Sequence, residues 1–136
     1  SGELVVNRGK EEEQIINSLR FPAGVDPEIL SPEYLLAIGD PQVITQALEM
    51  FLTQAERFEK DMTLAMERND WPKVSLLLHE MKGSSGNLGV MPVYRAAMAA
   101  YARAENSEVT ENEIDALLET LRSAQKVLEK IIAFNR

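Results

Sequence analysis

The stretch DPQVITQALEMFLTQAERFEKDMTLAMERNDWP, residues 40–72, sets the architecture of the chain. Within it Ile44, Leu48, Phe51, Ala55, Phe58, Met62 and Ala65 recur at alternating spacings of four and three. That pattern is a continuous apolar stripe along one helix of about six turns. The helix begins where Asp40 precedes Pro41. An aspartate side chain accepts the free N–H groups of a first turn, and proline at the first helical position forfeits no hydrogen bond. Asn69-Asp70-Trp71-Pro72 repeats the signal, closing this helix and opening the next.

Downstream, the second helix runs to about Leu88, and Gly89 is a natural C-terminal stop. A third follows over roughly 91–105, with a stripe of small residues at Val93, Ala97, Ala100 and Ala104 that permits close approach by a neighbour. Thr110 with Glu113 three residues later forms a capping box. It opens a last helix carrying Ile114, Leu117, Leu121, Leu128 and Ile131 on one side. Upstream, Asp26-Pro27 and Ser31-Pro32 begin short helical pieces, expected to cap one end. Residues 1–23 read as a linker or tail. Ser1–Lys10 has no period, residues 11–20 form at most one short amphipathic helix, and Phe21-Pro22-Ala23-Gly24 breaks it. The Ser-Gly start reads as that of an excised fragment. No strand pattern, internal repeat or low-complexity run is present. The expected fold is all-α: an antiparallel up-and-down four-helix bundle over residues 24–136, with short N-terminal capping helices.

Composition narrows the function. The chain has 136 residues, 14 Lys+Arg against 22 Asp+Glu, and a net charge of −8. That balance argues against nucleic-acid binding, which runs on clustered cation–phosphate contacts. With no Cys and one His, thiolate zinc sites, thiol catalysis, disulfides and multi-His metal sites are excluded. The longest uncharged run, Gly83 to Tyr94, falls far short of the ~20 apolar residues that span a bilayer. No signal peptide is visible. An intracellular domain is expected.

One segment carries chemistry, residues 75–90. On a helical wheel Val74, Leu77, Leu78, Met81, Ser85 and Leu88 share an inward arc, and the single histidine, His79, lies nearly opposite. Lys82, Gly83 and Gly86 follow it at i+3, i+4 and i+7 on the same outward face. Two glycines inside a helix each cost about 1 kcal/mol relative to alanine. Beside an exposed imidazole they leave bare helix that another protein can approach; equally, they can be packing accommodations. Lys82 sets a cation within one turn of the ring. Residues 71–103 hold Lys73, Lys82, Arg95 and Arg103 against Glu80 alone, a net of +3, leaving −11 for the remainder. The hairpin with the histidine is a basic island that steers an acidic partner.

His79-x-x-Lys82-Gly83-Ser84-Ser85-x-x-Leu88-Gly89 resembles the signature of histidine-containing phosphotransfer (HPt) domains. Gly24-Val25-Asp26 and Ile38-Gly39-Asp40 are similar to the lead-in of HPt domains at the C-terminal ends of hybrid sensor histidine kinases. The resemblance covers about residues 24–136. It implies a monomeric four-helix bundle that relays phosphoryl groups in two-component signalling. It makes His79 the phosphoacceptor and Lys82 the charge partner of the phosphate. Gly83 clears space for the partner, and Ser84 follows as a small position. Docking is expected around Ser84, Gly86 and an exposed apolar rim near His79, at Leu76 and exposed residues of the first and third helices. The family often places an amide on the next helix to hold the imidazole; here Tyr101 stands at that place, where a phenol could hydrogen-bond the ring. Ala99 replaces an acidic residue common on that helix, and Pro92 requires its first turn.

The implied chemistry is attack by neutral His79 on the aspartyl phosphate of a response-regulator receiver domain, which supplies Mg²⁺; the reverse step passes the group to a second receiver. The domain itself then binds no cofactor and no metal. It lacks a P-loop or other phosphate cradle and has no autokinase activity of its own. It is expected in the cytoplasm, as the end of a membrane-bound sensor kinase, without direct membrane contact. Two rival readings remain. One is a helical module that docks receivers without transferring phosphate. The other is an enzyme using His79 as general base, which needs an orienting carboxylate and a pocket.

Overall fold

The computed structural model describes residues 28–31, 34 and 40–136. The tail at 1–23, the short helix at 11–20 and the Asp26-Pro27 and Pro32 starts lie outside them. Residues 40–136 form four helices: α1 (Pro41–Glu67), α2 (Trp71–Leu88), α3 (Met91–Ala104) and α4 (Glu111–Phe134). Each packs on its chain neighbours, and α4 returns to α1, closing a four-membered ring. The described residues contain no strand.

The ends are capped by the residues expected from sequence. The Asp40 carboxylate accepts Gln42 N–H at 2.9 Å and Val43 N–H at 3.1 Å, and that of Asp70 accepts Lys73 N–H at 3.2 Å. Gly89 adopts φ +72°, the left-handed region that glycine enters without strain. Gly89 N–H then reaches Gly86 O and Val90 N–H reaches Ser85 O, satisfying the last carbonyls of α2. A Cβ at Gly89 would also stand 2.9 Å from Cβ of Ser31 and 3.0 Å from Cβ of Tyr34. Ser31 N–H donates to Gly89 O, and Leu30 is buried in the core, so residues 30 and 31 seat at the α2–α3 corner. The capping box at α4 is only half formed. Thr110 Oγ1 accepts Glu113 N–H at 3.2 Å, but the Glu113 carboxylate turns to Arg103 Nε at 2.8 Å instead of returning to the cap.

The helix stripes are the core. All seven residues of the α1 stripe are buried, as are the six of α2 and the four of α3. In α4 the five expected residues are joined by Leu118, Ala124 and Ile132, because α4 faces both α1 and α3 and buries a wider arc than one stripe. Directions follow from cross-helix contacts. Arg122 pairs with Glu59, and Arg136 with Glu49, so α1 and α4 run opposite ways. Ser75 meets Glu105, His79 meets Tyr101, and Gly86 faces Tyr94, so α2 and α3 are likewise antiparallel, in one fixed register. Pro92 sits in the first turn of α3, where its missing N–H costs nothing.

Candidate functional site

α2 is amphipathic, and burying Leu78 and Met81 turns His79 outward. The imidazole is exposed at mid-helix, flanked by α3 on one side and by a groove toward α1 on the other. Among the described residues it shares a hydrogen bond with none. Among the described residues no carboxylate bonds it as a general base requires, although Glu80 borders the same groove.

On the α3 flank the Tyr101 ring lies 5.4 Å from the imidazole, centroid to centroid, tilted by 47°. The Lys82 ammonium sits over the same ring, 4.9 Å from its centroid. Tyr101 therefore meets the imidazole through its ring, and not through the phenol hydrogen bond that the sequence allows. The phenol is engaged elsewhere. Hydrogen bonding to the Glu105 carboxylate, then burial, then the carboxylate charge push its pKa above 10.0. Glu105 in turn accepts a hydrogen bond from Ser75 Oγ at 3.3 Å.

The two glycines separate. A Cβ built at Gly83 meets nothing within 4 Å. A Cβ at Gly86 would lie 3.0 and 3.1 Å from Tyr94 Cδ1 and Cε1. Gly86 is thus not bare helix for a partner: a ring of the same chain covers it. Gly83 has no such internal use, and its helix-propensity cost is left uncompensated within the bundle. Ser85 is buried, and its hydroxyl donates to Met81 O at 2.6 Å. Ser84 is half-buried and borders the groove.

That groove, about 490 Å³, lies between α1 and α2 and is lined by Gln54, Arg57 and Asp61 opposite His79, Ser84 and Asn87. The sequence points to exposed residues of α1 without naming them, because no periodicity within α1 tells which of its residues stand beside His79. Neither Arg57 nor Lys82 makes an ion pair among the described residues. Leu76, one turn before His79, is 49% exposed, and Met98, one turn before Tyr101, is 43% exposed. The apolar rim thus spans both helices. Among the described residues no cluster of acidic or imidazole groups could hold a metal ion, and no helix is long and apolar enough to cross a membrane.

A family model described as Hpt domain matches residues 46–127. Histidine-containing phosphotransfer protein 1 of Arabidopsis thaliana is 24% identical over 107 residues, covering 77% of this chain and 70% of that protein. Virulence sensor protein BvgS of Bordetella parapertussis is 28% identical over 105 residues, covering 76% of this chain and 8% of that protein. No solved structure gives a significant match.

Proposed function

The chain belongs to the Hpt domain family, with a histidine phosphotransfer role in two-component signalling, and from that premise we propose that His79 is a phosphoacceptor relaying phosphoryl groups between receiver domains. The observation that carries the reading is the environment of His79: an exposed imidazole, free of hydrogen bonds among the described residues, with open helix at Gly83 and a cation at Lys82. The neutral ring attacks the phosphorus of an aspartyl phosphate. An N–P bond forms at Nε2 as the P–O bond to aspartate breaks, and the electron pair leaves on the carboxylate. Nδ1 keeps its proton through the step. Such transfers depend on positioning and charge neutralisation more than on protein acid–base chemistry. Mg²⁺, held by the receiver, supplies neutralisation on that side; on this side the charge is met by Lys82. The reverse step delivers the group to a second receiver. The domain contributes no ATP-dependent kinase step of its own.

Receivers dock over His79, on Leu76 and Met98 at the rim, with Ser84 at the groove and Gly83 leaving room for the approach. The domain acts as a monomer in the cytoplasm. Its match to a small part of a sensor protein supports a place as one module of a larger sensor. The test is transfer from a phosphorylated receiver with Mg²⁺ to the native domain and to His79→Gln. An acid-labile, base-stable label on the native chain alone is the expected result. No label from a broad panel of receivers would instead favour a docking module, and a label surviving in His79→Gln would move the site to another residue.

A further inference from the structure

Three observations on α2 and α3 converge on Tyr101. Its ring borders both His79, at 5.4 Å, and the Lys82 ammonium, at 4.9 Å. Lys82 makes no ion pair among the described residues, so the ring face is what its charge rests on. The phenol also stands one turn before Glu105, the C-cap residue of α3, whose carboxylate accepts from Ser75 Oγ at 3.3 Å and raises the phenol pKa by hydrogen bonding. A phenol donating to a carboxylate gains electron density on its ring, which strengthens attraction for a cation over its face.

We propose that Tyr101 is a positioning residue, holding the Lys82 ammonium beside His79 so that an incoming phosphoryl group meets a cation already in place. The inference rests on the phosphoacceptor reading of His79. A lysine on a helix surface samples many rotamers, and ordering it only when the phosphoryl group arrives would raise the barrier to transfer. A cation–π contact removes part of that freedom beforehand. It is also weaker than a charge-assisted hydrogen bond to a phosphoryl oxygen, so the ammonium can leave the ring for the product. Tyr101 need not touch the phosphoryl group; it acts through Lys82. Ser75 and Glu105 act one step further back, through the phenol.

The experiment is a double-mutant cycle on single-turnover transfer from a phosphorylated receiver, combining Tyr101→Leu with Lys82→Ala. Tyr101→Leu should slow transfer at saturating receiver about 2- to 5-fold with KM for the receiver unchanged, the loss of one exposed cation–π contact. Tyr101→Phe, which keeps the ring but loses the phenol's bond to Glu105, should slow transfer less than Tyr101→Leu does. In a Lys82→Ala background Tyr101→Leu should have no further effect. Proton NMR of the unphosphorylated native domain and of Tyr101→Phe should show Lys82 methylene resonances shifted upfield by the ring, and the shift should vanish in Tyr101→Leu. Tyr101→Met replaces Tyr101→Leu if thermal unfolding shows the latter to be misfolded.

Native transfer by Tyr101→Leu, an equal slowing in the Lys82→Ala background, or unshifted Lys82 resonances in the native domain would each overturn the inference while leaving His79 as phosphoacceptor. A native domain that takes no label would overturn both.

Discussion

Replacing Gly83 with alanine should stabilise the domain and slow its reaction. Gly83 lies in the interior of α2, exposed, and a Cβ there meets nothing within 4 Å. The substitution therefore gains the helix-propensity difference between alanine and glycine undiminished by strain, about 0.8–1 kcal/mol. For a chain of this size that raises the thermal midpoint by roughly 3–5 °C. The same methyl stands one turn from His79, on the face a receiver must approach. A methyl forced into a packed contact costs about 1–3 kcal/mol, which slows transfer roughly 5- to 150-fold. Gly86→Ala is the control. Its Cβ would meet the Tyr94 ring at 3.0 and 3.1 Å, so the ring must shift and the propensity gain is offset. Its stability should stay near native or fall, and its transfer should be native. Thermal unfolding followed by circular dichroism and single-turnover transfer from a phosphorylated receiver read the two effects separately. Gly83→Ala with native transfer, or without a raised midpoint, would refute the assignment of Gly83 to partner clearance. Equal slowing by Gly86→Ala would show that Tyr94 does not cover that position in solution.

Three further outcomes are expected. The raised pKa of Tyr101 favours the neutral phenol in the fold, so its stabilisation is fully present below the ordinary tyrosine value of 10.0 and is lost as pH rises through the raised value. Alkaline unfolding curves of the native domain should show that loss, Tyr101→Phe should lack it, and an absorbance titration of Glu105→Gln should place the phenol nearer its ordinary range. Leu76→Ala removes an exposed apolar contact from the rim. It should raise KM for the receiver about 5-fold while leaving urea stability within about 0.5 kcal/mol of native. Gly89→Ala forces an L side chain into left-handed backbone and toward Ser31 and Tyr34, costing at least about 1–2 kcal/mol in urea unfolding without altering transfer by the folded fraction.

Much of the bundle is legible in the chain, because helix burial is a local periodic signal. The stripes of α1, α2 and α3 read directly as buried faces, and Asp40, Asp70, Thr110 and Gly89 mark real ends, since caps answer to the few residues around them. The outward direction of His79 follows from the same periodicity. Where a residue answers to two neighbours, one period is too little: Leu118, Ala124 and Ile132 are buried only because α4 faces both α1 and α3. Gly83 and Gly86 are indistinguishable as letters, and only the register of α2 against α3 sets Tyr94 across one and open space above the other. Motif resemblance points to Tyr101, but not to how it acts. Its phenol could turn to the imidazole or to Glu105, and the choice rests on a carboxylate one turn away that Ser75 also engages from the opposite helix. The groove that brings Arg57 toward His79 is likewise a property of two helices meeting. Periodicity within one helix fixes which way a side chain points; what it points at is fixed by packing between helices, a long-range term that no local pattern contains.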